Sequence, residues 1–280
     1  MIINWRPLLV GLGVSAIAYG LAATLLWWRQ SRYVFFPVRE LTTTPERLNL
    51  EFEEVWLPAA SGNGEQIHGW WIPTQAPTRL GTLIYLHGNG ENVSANLGLA
   101  YRFQRLGFSV FLFDYRGYGL SQGPFPSEAR LYEDAETAWQ YVTQTQQVPP
   151  QQIYLFGHSL GGAIAIELAT RKPEAAGLIV QSSFTSVPDM AQRTLYAKLF
   201  PVDLLLHERF DSAKKVANLQ MPVFFIHGLA DDSVPPEMSQ SLYQAAVEPK
   251  QLWLVPDAMH NNVAEIADEI YDQKIRQFVR

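Results

Sequence analysis

The chain contains no cysteine among its 280 residues. This absence excludes disulfide bonds, a cysteine nucleophile and thiolate metal ligands together. It does not decide the compartment, because a chain of this length buries a large core without covalent cross-links.

Long basic runs are also absent, and the net charge is −6 with 17% charged residues. Nucleic-acid-binding surfaces are rich in lysine and arginine, so we expect no nucleic-acid partner. A glycine-rich loop at 86–92 resembles a phosphate cradle, but neither G-x-x-x-x-G-K-[ST] nor G-x-G-x-x-G occurs. The sequence therefore predicts no nucleotide, metal or other cofactor.

Near the N-terminus, residues 8–28 form a run of 21 residues without a charge. A helix of that length spans roughly 30 Å, the thickness of the hydrocarbon core of a bilayer. Arg6 precedes the run, Arg29 and Arg32 follow it, and tryptophans lie at both ends. We expect residues 1–30 to form a single-pass membrane anchor.

Two other interpretations of this segment remain open. Small residues at 16–18 and 22–23 are compatible with a cleaved signal peptide, although the run is longer than a usual signal h-region. A buried core helix is the second alternative. The excess of arginine after the run favours a cytoplasmic location for the rest of the chain.

From about residue 50, β-branched and aromatic runs alternate with helical patterns, which is typical of an α/β fold with a mostly parallel sheet. The first two strands are expected to pair antiparallel through turn residues at 61–64. The predicted strands are 51–57, 67–72, 82–86, 109–114, 152–156, 178–181, 223–226 and 251–255. The predicted helices are 92–106, 127–145, 161–171, 236–246 and 262–278.

Two segments lie outside this alternation. Residues 31–50 are interpreted as a connector, which leaves 51–280 as the folded domain. Residues 184–218 are longer than one crossover helix needs and are rich in leucine and aromatic residues, so we expect a small helical cap.

The sequence Gly157-His158-Ser159-Leu160-Gly161 matches G-x-S-x-G, between a predicted strand and a predicted helix. In that context the serine lies on a sharp, strained turn and its small neighbours let strand and helix pass closely. Ser159 is the predicted nucleophile.

A serine nucleophile needs a base, which in this strand order follows an acid late in the chain. His260 is the one histidine after the last predicted strand. The acid is expected in the loop after the seventh strand, where Asp231 and Asp232 are adjacent. Spacing does not choose between them, and Asp257 is a third candidate.

Two backbone N–H groups are expected to stabilise the oxyanion that forms during acyl transfer. One belongs to Leu160, directly after the nucleophile. The other comes from the glycine-rich loop after the third strand, where Asn89 is our candidate.

Together these motifs resemble the α/β-hydrolase superfamily, in particular its membrane-anchored branch that includes protein depalmitoylases. The similarity rests on HGN at 87–89, FDYRGYG at 113–119, GHSLGG at 157–162 and HGLADDSVP at 227–235, with FFPVREL and HGWWIP before them. It implies an eight-stranded, mostly parallel sheet flanked by helices. It also implies that Asp231 is the acid and that Asn89 donates to the oxyanion.

The chain departs from the family pattern beside the base. Met259 replaces the usual glycine before His260, and Asn262 replaces an acidic residue shortly after it. In such proteins, residues matching Asp114 and Arg116 more often brace loops than contact substrate, so neither is included in the site.

These features predict a serine hydrolase that cleaves carboxylic esters or thioesters through Ser159, His260 and Asp231. The apolar cap and anchor favour lipid-like or acylated substrates. A peptidase acting on short or acylated peptides would use the same three residues. A non-catalytic hydrolase-like binding protein is the third interpretation.

Overall fold

The computed structural model describes residues 5–60 and 63–279 of the chain. Ser61 and Gly62, half of the predicted hairpin turn, lie outside the described residues. The strands are β1 (Glu53–Pro58), β2 (Gln66–Ile72), β3 (Gly81–Leu86), β4 (Phe108–Phe113), β5 (Ile153–His158), β6 (Gly177–Gln181), β7 (Val223–Gly228) and β8 (Lys250–Val255).

The helices alternate with these strands from β3 onward. They are α1 (Arg6–Arg29), α2 (Ser31–Val34), α3 (Val93–Leu106), α4 (Glu128–Gln140), α5 (Leu160–Arg171), α6 (Val187–Ala191), α7 (Leu195–Leu199), α8 (Val202–Leu205), α9 (Ser212–Lys215), α10 (Pro236–Ala245) and α11 (Val263–Phe278). A π-helical turn, Tyr141–Thr145, continues α4.

One eight-stranded sheet contains all of these strands, in the order β1-β2-β4-β3-β5-β6-β7-β8. The pairs β1–β2 and β2–β4 are antiparallel, and the remaining pairs are parallel. Central strands such as β3 and β6 are apolar and almost wholly buried, because hydrophobic clusters cover both sheet faces. The predicted α/β-hydrolase fold is confirmed.

The N-terminal helix α1 has 24 residues and a mean hydropathy of 2.0 in its most apolar window. By length and composition it is sufficient to cross a membrane. No residue of α1 is fully buried against the rest of the protein.

Between β6 and β7 the chain forms four short helices, α6 to α9, instead of one crossover helix. We call residues 187–211, which include α6 to α8, the cap. Pro188 is the second residue of α6, and Pro201 directly precedes α8. Proline is tolerated at a helix start, where its missing N–H would have no partner within the helix.

The last helix differs from its predicted apolar face. The pattern predicts that 263, 266, 267 and 270 face the core, but Ile266 and Ile270 are 49% and 54% exposed. Val263 and Ala267 are buried as predicted. Asp268 interrupts α11 with φ of 42°, so the helix phase changes after it, and Tyr271 and Ile275 are buried instead of Ile270.

Candidate active site

Ser159 lies on the tight turn between β5 and α5. Its φ of 54° and ψ of −118° are strained for a residue with a side chain. The Ser159 amide donates to the carbonyl of Gln181 on the neighbouring strand at 2.9 Å. The sheet thus holds the backbone in a conformation that projects Oγ beyond the carboxyl edge of the sheet.

Glycines around the serine are required by close backbone approach. A Cβ at Gly157 would lie 2.3 Å from the carbonyl oxygen of Gly161, and one at Gly161 would lie 2.0 Å from that of Leu86. The small residues of G-x-S-x-G therefore let β5, α5 and β3 meet directly beneath the nucleophile.

His260 lies in the loop after β8, with Nε2 3.0 Å from Ser159 Oγ. Its Nδ1 is 2.7 Å from Asp231 Oδ2. Asp231 follows β7, so three distant parts of the chain meet at one sheet edge. The structure brings together the three side chains that the sequence predicts as nucleophile, base and acid.

The two departures from the family pattern leave the loop of His260 intact. Met259 does not have positive φ, so its position does not demand glycine. Asn262 Oδ1 accepts a hydrogen bond from the Met259 amide at 2.7 Å, which closes the loop around His260. An amide oxygen at 262 thus supplies an acceptor without an added negative charge.

The other two acids do not contact the base. Asp232 is exposed on the same loop. Asp257 occupies an exposed turn with φ of 58°, two residues beyond the end of β8. Geometry selects Asp231, whose carboxylate is fully buried.

Asp231 is embedded in hydrogen-bond donors. Its Oδ1 accepts from the amides of Ser233 and Val234, each at 2.9 Å. His227 Nε2 lies 3.1 Å from Oδ2. Burial alone raises the pKa of Asp231, but the hydrogen bonds from His227, His260 and Val234 outweigh it, so the pKa lies well below its ordinary value.

The sequence does not assign the roles of His227 and His158. His227 Nδ1 lies 2.6 Å from Ser239 Oγ, which accounts for the second ring nitrogen. His158 Nε2 lies 3.1 Å from the carbonyl oxygen of His260, and burial together with the His260 ring lowers the pKa of His158. Both histidines lie near a predicted site residue in sequence, which was the available signal. Their contacts are made with the loop after β8 and with the loop and helix after β7, which the sequence pattern does not show.

The loop from β3 to α3 lies against the nucleophile. A Cβ at Gly88 would be 3.4 Å from Ser159 Cβ. The Asn89 side chain is engaged elsewhere: Oδ1 accepts from Phe36 N and Tyr118 Oη, each at 2.9 Å, and Nδ2 donates to the Val34 carbonyl at 2.6 Å. These bonds fix the loop, so an oxyanion contact from Asn89 would come from its backbone N–H.

Asp114 and Arg116 hold neighbouring helices in place through buried hydrogen bonds. Asp114 Oδ1 accepts from the Val93 amide at 2.9 Å, at the start of α3. Arg116 Nε donates to Asp134 Oδ1 at 2.6 Å. Both side chains are almost fully buried, and neither lines the cavity above Ser159.

A mainly apolar cavity of about 550 Å³ lies over the nucleophile. Ser159, Leu160 and Asn89 form its floor. The cap supplies much of its wall, including Met190, Tyr196, Phe200, Val202, Leu205 and Leu206. A cavity of this size and character is typical of a site for an apolar small molecule. Within residues 5–60 and 63–279, no His, Asp or Glu group is arranged to hold a metal ion.

The sheet order and the serine, acid and histidine after β5, β7 and β8 define an α/β-hydrolase architecture. A family model described as serine aminopeptidase, S33, matches residues 77–212. The uncharacterized protein Rv2307c of Mycobacterium tuberculosis is 32% identical over 95% of this chain and 92% of its own. The α/β hydrolase domain-containing protein WAV2 of Arabidopsis thaliana is 31% identical over 95% and 94%.

Among solved structures, the Pyrococcus furiosus esterase Pf2001 superposes with a TM-score of 0.72. The two are 21% identical, and the match covers 88% of this chain and 97% of the esterase. The chain belongs to the α/β-hydrolase superfamily.

Proposed function

We propose that the protein is a serine hydrolase that cleaves carboxylic ester or thioester bonds. The observation that carries the proposal is the continuous hydrogen-bonded series from Ser159 through His260 to Asp231. The His260 ring is within reach of both partners, which is the geometry of nucleophilic catalysis by an activated hydroxyl.

In this mechanism Ser159 Oγ attacks the acyl carbon while His260 Nε2 takes the hydroxyl proton. Buried, ionised Asp231 orients the ring and stabilises the imidazolium that forms. The backbone N–H groups of Leu160 and Asn89 stabilise the oxyanion. His260 then returns the proton to the leaving alcohol or thiol, and a water molecule hydrolyses the acyl-enzyme by the same steps.

The cavity composition supports an apolar acyl group as substrate. Lipid-like esters and acylated proteins both present such a group beside the scissile bond. The mechanism needs no cofactor, and the site offers no feature that recognises nucleic acid.

The length and apolar composition of α1 support a single-pass membrane protein. Arg29 ends α1 and Arg32 follows it, so arginine at this end outnumbers Arg6 at the start of the helix, which supports a hydrolase domain on the cytoplasmic side. Protease protection of closed vesicles made from cells that express the protein measures this orientation.

Labelling with a fluorophosphonate tests the chemistry. We expect the parent protein to be labelled and Ser159→Ala to remain unlabelled at equal folding. A panel of p-nitrophenyl esters and acyl-thioesters of graded chain length then identifies the acyl group. Folded parent protein that reacts with neither probe nor panel would be a non-catalytic binding protein.

A peptidase is the second candidate, because the matching family model carries the description of a serine aminopeptidase. The same three side chains cleave an amide when the leaving amine is protonated. Short peptide amides offered beside esters of the same acyl group separate the two. Turnover of the amides without turnover of the esters would favour the peptidase.

A further inference from the structure

One face of α1 packs on the cap, although the rest of the helix is exposed. Ala22, Ala23 and Leu26 are half-buried, and Gln30, directly after the helix, is 3% exposed. Their spacing of one, three and four residues places them along one side of a helix. The second half of α1 is therefore part of the folded hydrolase domain.

Specific contacts fix this packing. Tyr19 Oη donates to the Leu199 carbonyl at 3.0 Å, and its ring stacks on Phe200 with centroids 5.1 Å apart. Gln30 Oε1 accepts from the amides of His207 and Glu208 at 2.7 and 3.0 Å. Hydrogen bonds to a buried side chain hold the cap at a defined position against the helix.

The same segment forms a wall of the cavity over Ser159. Leu26, Gln30, Tyr33, Val34 and Phe36 line it, opposite the cap residues. The wall is continuous from the membrane-spanning candidate helix to Asn89, whose side chain bonds to Val34 and Phe36. An acyl chain attached to Ser159 would therefore extend along residues 30–36 towards Leu26, near the end of α1.

The contacts also place the cap beside the C-terminal half of α1. Tyr19 lies ten residues before Arg29, the last residue of α1, which is about 15 Å along a helix. Leu195, Leu199 and Leu204 of the cap are 55–83% exposed. Arg193 and Lys198 of the cap are also exposed. Such a mixture is typical of a surface in the headgroup region of a bilayer, with its apolar side chains directed towards the acyl chains.

We propose that α1 is a substrate-binding element as well as an anchor, and that the cavity it shares with the cap receives a long unbranched acyl chain directly from the bilayer. The inference rests on the proposed ester hydrolase activity and names its substrate class. The exposed leucines of the cap form the surface that contacts lipid, and the acyl chain enters the cavity from that side.

Two adjacent leucines of α1 provide a matched test. Leu26 lines the cavity, whereas Leu25 is 50% exposed and does not line it. In Leu26→Trp we expect the ratio of kcat/KM for p-nitrophenyl myristate to that for the acetate to fall about tenfold, the loss from excluding roughly two methylene groups. Leu25→Trp adds the same side chain to the helix and should leave the ratio within about twofold of the parent.

Fluorophosphonate labelling of each variant accompanies the measurement. Labelled variants with equal chain-length ratios would overturn the role of α1 while leaving the hydrolase activity intact. Absence of labelling in the folded parent would overturn the proposed function and this inference with it. Leu26→Phe, a smaller enlargement, replaces Leu26→Trp if only the tryptophan variant fails to label.

Entry from the bilayer has its own measurement. A long-chain ester that does not exchange between vesicles is placed either in the phosphatidylcholine vesicles that hold the full-length protein or in separate vesicles. We expect hydrolysis at least about tenfold faster in the first arrangement, because the chain need not cross water. Equal rates would overturn bilayer entry.

Discussion

At the scale of single residues, the candidate site depends on groups that hold Ser159, His260 and Asp231 in place. Asp231 accepts hydrogen bonds from two amides and from the His260 ring, and His227 Nε2 lies 3.1 Å from its Oδ2. Asn262 closes the loop of His260, and Asn89 ties the oxyanion loop to the connector. The arrangement of these three side chains thus depends on the polar contacts around them.

The lowered pKa of Asp231 predicts a pH-dependent contribution to stability. Because the folded pKa lies below the unfolded value of about 3.9, the contribution is present above that value and is lost as pH falls through the folded pKa. The stability advantage of the parent over Asp231→Asn should shrink as pH falls below about 4. Denaturant unfolding between about pH 5 and pH 2 measures it. An advantage that grew as pH fell below about 4 would contradict the lowered pKa of Asp231.

Asn89 permits a test of the oxyanion loop. Asn89→Asp keeps the acceptor for Phe36 and Tyr118 but loses the donor to Val34 and places a negative charge beside the expected oxyanion. We expect kcat to fall by at least about 100-fold, as when an oxyanion donor is removed. Asn89→Ala loosens the loop without the charge and should retain more activity. Steady-state kinetics of both variants on one ester compare their kcat values. Greater activity in the aspartate variant would refute a nearby oxyanion.

At the scale of elements, the close approach between β3, β5 and α5 limits which substitutions the turn at Ser159 tolerates. Gly161 has no room for a Cβ against Leu86, whereas Gly98 in α3 is exposed with open space around its Cα. A side chain is thus excluded at Gly161 but has room at Gly98.

Gly161→Ala and Gly98→Ala should therefore change stability in opposite directions. We expect Gly161→Ala to lower the free energy of unfolding by at least about 2 kcal/mol through overpacking. Gly98→Ala should raise it by about 0.5–1 kcal/mol, because alanine loses less backbone entropy in a helix. Thermal and denaturant unfolding of both variants give the comparison. Equal effects would contradict the steric argument.

The sequence predicts elements well where a local period or motif decides them. The buried strands and the turn at Ser159 follow from apolar runs and G-x-S-x-G. Ile266 and Ile270 fit a helix face but are exposed; for Ile270 the reason is the break at Asp268, which changes the helix phase before it. The contacts of His227 and the packing of Leu26 also lie beyond sequence patterns, since they depend on which strand or helix lies alongside.

At the scale of the whole molecule, side-chain hydrogen bonds join the end of α1 to the cap and the cap to α4. Gln30 bonds to the cap at Leu205, His207 and Glu208. Ser31 bonds to Glu208, which in turn accepts from the Glu128 amide at the start of α4. These bonds connect the end of α1 to the cap that lies over Ser159.

Gln30→Ala should uncouple these parts. It leaves the amides of His207 and Glu208 without their acceptor. The Glu208 amide is buried, and an unsatisfied buried group costs about 1–3 kcal/mol. We expect a lower unfolding temperature and faster proteolytic cleavage within 192–207, where the cap loses its attachment to the helix. Gln151→Ala, at an exposed glutamine before β5, is the matched control and should change neither. Unfolding temperature and mass-mapped limited proteolysis of the full-length protein in detergent measure both. If Gln30→Ala resists proteolysis as the parent does, the cap is held by its own apolar contacts and the coupling through Gln30 is wrong.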